Sequence, residues 1–330
     1  MTLAEQTQTD EVRPVPPRAR HRSTYRVPWW LAVPAVVAVL ALRFLPSLAG
    51  GAYSFTNWNG SGLTASWKGL GNYSGVFSNP TTSQALLHTL LLAALLVIFA
   101  NTFGLGIALS LRRTLKSRTL LRALFFLPFA LSQLATAYIW QFIFQYNGPL
   151  NDLLKAVGLG SWQRVWLADP SLAIYAVLVL LVWQYTGLTM IIYLAGLEGI
   201  SEDLDDAAAM DGASSWLKFR KVTLPLLAPA ITISSTLTLI FSLGAFEQVI
   251  ALTGGGPVNS TETLATQVYK NTFVYGDYGT GSALAVLLAL MVTVLAVAQI
   301  GILRARENRL LCTATLSRHS RGKSGCSFSR

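Results

Sequence analysis

Charge is scarce in this 330-residue chain: Asp, Glu, Lys and Arg together make up 12% of it, against roughly 25% in ordinary soluble domains. A surface kept in water needs more polar side chains than that, which excludes an ordinary soluble globule. Disorder is excluded by the converse figure, since 52% of the residues are apolar and disordered chains are poor in them. The two cysteines are too few for a disulfide framework or for a zinc site built on thiolates alone. Histidine is scarce too, and His21, His88 and His319 are scattered. His88 falls at the outer end of an apolar run, where an interfacial imidazole is a simpler reading than a metal ligand. Motifs of catalysis are missing: there is no HExxH helix and no GxSxG serine inside an apolar run. Gly322, Lys323 and Ser324 supply the end of a Walker A loop, but Ser317 stands where its first glycine is required, so the motif cannot cradle ATP. Nothing here reads as an enzyme.

What the chain has instead is uninterrupted apolar length. Residues 69–111, 123–151, 170–197, 222–246 and 278–303 carry no Asp, Glu, Lys or Arg, and 27–67 is broken only by Arg43. A helix needs about 20 mostly apolar residues to cross a hydrocarbon core of about 30 Å. Six such spans fit, at Trp29–Leu48, Ala85–Leu109, Ala123–Phe144, Leu172–Leu194, Leu226–Val249 and Ser282–Leu303. In lipid each must satisfy its own backbone, which helices do, and the alternation of a β-barrel strand is missing. The fold class is an all-α membrane protein with six transmembrane helices. Arg43 lies about 21 Å along the first span from Trp29, within snorkelling reach of the far interface. Cleavage near Ser47, Leu48 and Ala49 would turn that span into a signal peptide, but the 28 residues ahead of it are long for such a leader.

Alternate sides of the spans differ sharply in cations. Twenty Lys and Arg fall on the side of both termini and four on the other, with Arg43 inside a span. The positive-inside rule makes the first side cytoplasmic. The net charge of +10 is thus a topology signal, and no nucleic-acid partner is needed to explain it. Membrane lipid is the surrounding partner, and the location is the plasma (inner) membrane, crossed several times. Asn59-Gly60-Ser61 and Asn72-Tyr73-Ser74 match the glycosylation triplet, a pattern that also arises by chance.

Polar residues within the spans are few. Glu247 reaches the outer edge of the fifth, where a carboxylate in outer-face water and a solute contact are both open. Trp183, Gln184 and Tyr185 in the fourth span, and Ser234, Ser235 and Thr236 in the fifth, either line a cavity or join helices.

The most informative stretch is the cytoplasmic loop 199–225. Ser201 can cap a first short helix, and Glu202, Asp203, Asp205 and Asp206 put negative charge on its opening turn, where the helix dipole favours it. Ala207, Ala208 and Ala209 follow, with strong helix propensity and almost no bulk. Gly212 permits a left-handed break, Ser214 or Ser215 can cap a second helix, and Lys218, Arg220 and Lys221 sit on its last turn. Pro225 stands where the fifth span begins. The loop reads as a rigid elbow of small residues, suited to close approach by another protein; an amphipathic surface helix is the alternative.

At these residues the chain resembles the permeases of binding-protein-dependent ABC importers. Ala207, Ala208, Asp211, Gly212, Ala213, Phe219, Leu224 and Pro225 fall on the positions of that family's EAA loop, with Asp206 where glutamate is usual. GLGNYSGVF at 69–77, RALFFLPFALS at 122–132 and LTGGGPVNSTETLATQVYKNTF at 252–273 narrow the likeness to sugar permeases of the maltose and glycerol-phosphate type, specifically the first of two permeases.

The resemblance implies the type I importer permease (MetI-like) fold over about residues 28–307, with a basic cytoplasmic tail at 1–28, the first span and outer segment at 29–84, and the transmembrane domain at 85–307. It implies ATPase coupling through Asp206, Ala207, Ala208, Asp211, Gly212, Ala213, Phe219, Leu224 and Pro225, and an outer loop at Gly254, Gly255, Gly256 and Pro257 that faces a solute-binding protein. Implied partners are a second permease in a heterodimer, two ATP-binding subunits, which carry the ATP and magnesium, and the extracytoplasmic binding protein. The chain itself would bind no cofactor. Residues 308–330, with Cys312 and Cys326, are expected to be a disordered cytoplasmic extension. The competing function is a membrane scaffold that docks an unrelated cytoplasmic protein on the same loop.

Overall fold

The computed structural model describes residues 29–60, 65–112 and 117–318. The basic tail 1–28 and the last residues 319–330, including Cys326 and His319, lie outside the described residues. Contacts divide the chain into units 1–48 and 49–330. In the first unit begins α1, Val33–Tyr53, apolar and long enough to cross a membrane despite Arg43. Among the described residues the other regular elements are helices joined by turns and irregular segments, with one isolated bridge between Thr56 and Trp67.

Three long helices run through the second unit, of which the middle one is the most buried. These are α3 (Pro80–Leu111), which follows the short α2 (Gly71–Ser78), then α7 (Ala173–Glu198), which follows the short α6 (Pro149–Ala156), and α13 (Tyr278–Arg318), which follows the short α12 (Leu264–Tyr269). Asn79 opens α3 by accepting from the Thr81 amide at 2.9 Å, with Pro80 in the first turn, where its missing N–H costs nothing. Ahead of α7, Asp169 Oδ1 accepts from the Ser171 hydroxyl at 2.7 Å and amide at 2.8 Å. Those bonds hold its carboxyl below the ordinary carboxylate range.

The third expected span is two helices. Arg118–Ala130 (α4) and Gln133–Ile143 (α5) meet at a 96° bend, because Pro128 weakens the end of α4 and Leu131 turns extended at φ −74, ψ 151. The fifth is broken as well. Ser215–Leu226 (α9) bends by 69° into Ala228–Leu243 (α10), with Pro229 taken into the first turn of α10. The expected continuation to Val249 fails at Gly244, which caps α10, and the chain restarts as α11, Glu247–Thr253. Among the described residues four helices are long and apolar enough to cross alone, and up to six spans result if each bent pair counts as one. The helix that carries the sixth span, Tyr278–Glu307, runs on to Arg318, so residues 308–318, expected to be disordered, continue the helix. Nothing in Arg304–Arg318 is glycine or proline, and no stop signal interrupts it.

Small residues set the helix crossings, as they must where lipid offers no hydrophobic drive. A Cβ on Gly104 of α3 would lie 1.9 Å from Thr189 Oγ1 of α7, and one on Gly187 of α7 would lie 2.2 Å from the Phe125 carbonyl of α4. Around these contacts Leu96, Leu180, Leu181 and Tyr185 form one buried cluster, and Met190, Tyr193 and Leu227 belong to a second. Outside, Asn72 is buried and donates to the Ser54 and Thr56 carbonyls at 2.9 and 2.8 Å. That burial removes it as a glycosylation site.

Candidate functional site

The loop 199–225 folds as capped helix, break, capped helix. Ser201 Oγ accepts from the Asp203 amide at 3.3 Å and opens α8, Glu202–Met210. Gly212 takes φ +74. Its amide donates to the Ala209 carbonyl and that of Ala213 to the Ala208 carbonyl, both at 3.0 Å. This paired closure needs the left-handed residue that glycine supplies. Ser214, rather than Ser215, then caps α9 by accepting from the Leu217 amide at 3.4 Å. Asp206, Ala207, Asp211 and Gly212 are exposed and Ala208 and Ala213 half-buried, all on one corner. Phe219, Leu224 and Pro225 belong instead to the shaft of α9 and are half-buried. Sequence reasoning passed over the corner's apolar side chains: Met210 is 89% and Trp216 68% exposed. Exposed apolar bulk beside backbone of low relief is what a docking face presents.

At the other end of the second unit, Gly254 and Gly255 turn the chain at φ +63 and +87, ahead of Gly256 and Pro257. Thr261 Oγ1 donates to the Gly256 carbonyl at 2.8 Å. Behind this loop lies a carboxylate that sequence reasoning missed. Glu262 is fully buried and accepts from Thr266 Oγ1 at 2.7 Å, from Gln267 Nε2 at 3.2 Å and from the Lys270 ammonium. Its carbonyl meets His88 Nδ1 at 3.1 Å, so His88 is a structural partner of this segment. A Cβ on Gly255 would fall 2.3 Å from Glu262 Oε1, which requires glycine there.

Between these ends, Gln184 and Tyr185 of α7 meet two residues not singled out in the sequence. Gln248 Nε2 donates to Gln184 Oε1 at 3.1 Å and lies 3.5 Å from the Tyr185 hydroxyl, which also accepts from Gln133 Nε2 at 3.4 Å. The signal for both was position: Gln133 opens the helix after the 96° bend, and Gln248 follows the break at Gly244. The Tyr185 ring stacks on Phe241 at 5.3 Å. Trp183 is half-exposed, edge-on to Trp140 at 5.6 Å. Glu247, expected at the end of a continuous span, is instead exposed on the first turn of α11.

Ser234 and Ser235 do not join this group. Ser234 Oγ donates to Asn101 Oδ1 of α3 at 2.7 Å and Ser235 Oγ to the Ile231 carbonyl of its own helix at 2.6 Å, so the first hydroxyl joins two helices and the second is used within one. A groove of about 1490 Å³ runs beside Phe99, Phe103, Leu124, Phe125, Trp140 and Trp183. Its lining is apolar and suits hydrocarbon better than a hydroxyl-rich solute. Among the described residues no three His, Cys, Asp or Glu side chains gather as a metal would require.

Comparison with known proteins places this geometry in a wider set. The model of a family described as "Binding-protein-dependent transport system inner membrane component" matches residues 100–310. The probable starch degradation products transport system permease protein AmyD of Thermoanaerobacterium thermosulfurigenes is 31% identical over 84% of this chain and 94% of its own length. The multiple sugar-binding transport system permease protein MsmF of Streptococcus mutans is 35% identical over 82% of this chain and 92% of its own. Among solved structures, a chain of a bacterial ABC transporter involved in import of the acidic polysaccharide alginate superposes with a TM-score of 0.73 at 20% identity, covering 84% of this chain and 94% of that one.

Proposed function

Because the chain belongs to the family of binding-protein-dependent transport system inner membrane components, we propose that it is the permease subunit of an ABC importer for a carbohydrate, driven by ATP hydrolysed on separate subunits. The sugar class rests on what similar proteins are named for, starch degradation products in one case and multiple sugars in another.

The observation that carries the coupling is the elbow. A corner closed at Gly212 and capped at Ser201 and Ser214 is rigid, and Met210 and Trp216 make it adhesive. In this reading Asp206, Ala207, Ala208, Asp211, Gly212 and Ala213 dock against an ATP-binding subunit on the cytoplasmic side. Phe219, Leu224 and Pro225 carry the motion into the fifth span. ATP and magnesium belong to that partner, and this chain contributes only the surface. A partner shifts a conformational equilibrium by its differential affinity for two states, and a rigid corner transmits that difference where a loose loop would absorb it.

The loop Gly254–Pro257 faces the solute-binding protein, and Glu262 holds it in place. Gln133, Gln184, Tyr185 and Gln248 form the polar group of the solute path, with amides and a phenol hydroxyl for a sugar's hydroxyls, while Trp183, a candidate from the sequence, lines the apolar groove instead. Glu247 stands at its rim. A second, non-identical permease supplies the other half of the cavity and the other elbow, so that two ATP-binding subunits are engaged. Both termini are cytoplasmic in this arrangement.

The test is co-purification of the ATP-binding subunit with Gly212→Pro and Asp211→Lys. Proline, held near φ −65°, cannot take the +74° of residue 212, and lysine inverts a charge on the docking corner. At least a tenfold loss of bound subunit and of uptake is expected, with the protein still in the membrane. Retention of subunit and full uptake by both variants would overturn the coupling role.

A further inference from the structure

Two arginines at the start of α4 share one carboxylate at the end of α7. Arg118 Nη2 and Arg122 Nη2 lie 2.6 and 2.5 Å from the same oxygen, Oε1 of Glu198. Glu198 is the last residue of α7, three positions before Ser201 caps the elbow. Arg118 and Arg122 are four apart and so lie on one face of α4.

The placement of Arg118 runs against the helix that carries it, because the positive end of the helix dipole disfavours a cation in the first turn. The positive-inside rule explains cations on this side, but it does not explain a carboxylate set between two of them. As stabilisers, half-exposed pairs are weak: the side chains are 29%, 31% and 52% exposed for Arg118, Arg122 and Glu198. A contact that adds little stability and joins two helix ends is better explained by what it connects.

Following α4 from the clamp shows what that is. Midway, Phe125 lies against Gly187 of α7, backbone to side-chain-free backbone. Further on, the Phe129 ring lies 6.0 Å from that of Tyr185. At the far end, about 20 Å from Arg118 at 1.5 Å per residue, the chain bends by 96° into Gln133, which donates to the Tyr185 hydroxyl. One end of the α4–α7 pair therefore sits at the elbow and the other at the polar group of the solute path.

We propose that Glu198, through Arg118 and Arg122, locks α4 to α7 at their cytoplasmic ends, so that displacement of the elbow reaches the bend at Leu131–Ser132 and the Gln133–Tyr185–Gln248 group. These three are positioning residues, and their role rests on the permease reading above. Without the clamp the elbow still docks, but α4 no longer follows α7.

The experiment uses the complete transporter, with its second permease, ATP-binding subunits and binding protein, reconstituted in liposomes. For Glu198→Gln the ATP-binding subunits stay bound and basal ATP hydrolysis stays within about twofold of wild type, while stimulation by sugar-loaded binding protein falls at least fivefold, and uptake with it. The exchange Glu198→Arg with Arg122→Glu restores at least half of the stimulation that each single reversal loses, which a general folding defect would not allow. Full stimulation in Glu198→Gln, or an exchange no better than its worse single variant, overturns the clamp and leaves the permease function standing. A wild-type complex that neither binds the ATP-binding subunits nor responds to sugar would overturn both.

Discussion

Tyr193 of α7 donates its hydroxyl hydrogen to Asn101 Oδ1 of α3 across 2.7 Å. The same oxygen accepts from Ser234 of α10 at 2.7 Å, and Asn101 Nδ2 donates to Thr238 at 3.0 Å and to the Val97 carbonyl at 2.7 Å. One amide thus joins three helices within the apolar interior. Replacing it by a leucine of similar size leaves the Tyr193 and Ser234 hydroxyls without that partner, at about 1–3 kcal/mol for an unsatisfied buried group, while Thr238 still donates to the Ser234 and Ser235 carbonyls. Asn101→Leu should lower the thermal unfolding midpoint in detergent by several degrees. Thr293→Val, which removes an exposed hydroxyl bonded only within its own helix, should leave it unchanged.

Gly104 and Gly106 lie on the same helix and should respond oppositely to alanine. At Gly104 a methyl would meet Thr189 Oγ1 at 1.9 Å and the Met190 amide at 2.9 Å, whereas at Gly106 nothing lies within 4 Å. Overpacking costs about 1–3 kcal/mol, while alanine in an open helical site gains about 0.5–1 kcal/mol over glycine. Gly104→Ala is therefore expected to destabilise and Gly106→Ala to be neutral or stabilising, read as unfolding midpoints of the two single variants.

The buried carboxylate of Glu262 makes Lys270 expensive to lose. Removing one partner of a buried pair costs about 3–5 kcal/mol, so Lys270→Met should destabilise the outer segment strongly. Limited proteolysis should then cut between Gly254 and Glu262 at protease levels that leave wild type intact. Glu262→Gln with Lys270→Met, which removes both charges, should recover much of the resistance.

How much of this was legible in the sequence depended on whether the deciding residue was locally unusual. The break in the elbow was readable because Gly212 follows three alanines and precedes a serine that can cap. The 96° bend was not, since Leu131 and Ser132 sit inside a run with no charged residue, where hydropathy counts the whole stretch as one span; Pro128 was the available signal. Likewise Pro229 and Gly244 mark the broken fifth span, where apolar length alone reads as one continuous helix. The search for charge within the spans found Glu247, which is exposed, and missed Glu262, whose partner Lys270 lies two helical turns on. Asn101 was overlooked because one amide in a 32-residue helix has no pattern, and its partners come from helices 92 and 133 positions away.

The distribution of Lys and Arg, twenty against four, predicts orientation. Reporter fusions at Asn59 and Gly255 should register as outside and a fusion at Ser214 as inside. A cytoplasmic signal from Gly255 would contradict the arrangement.

The coupling elbow is the centre of the account, and ATP hydrolysis in the reconstituted transporter tests it most directly. Adding sugar-loaded binding protein should raise hydrolysis severalfold when the permease is wild type, and should give no rise when Gly212 is replaced by proline, because the ATP-binding subunit no longer docks. Equal stimulation of the two would contradict the claim that this corner carries the signal between the ATP-binding subunit and the solute path.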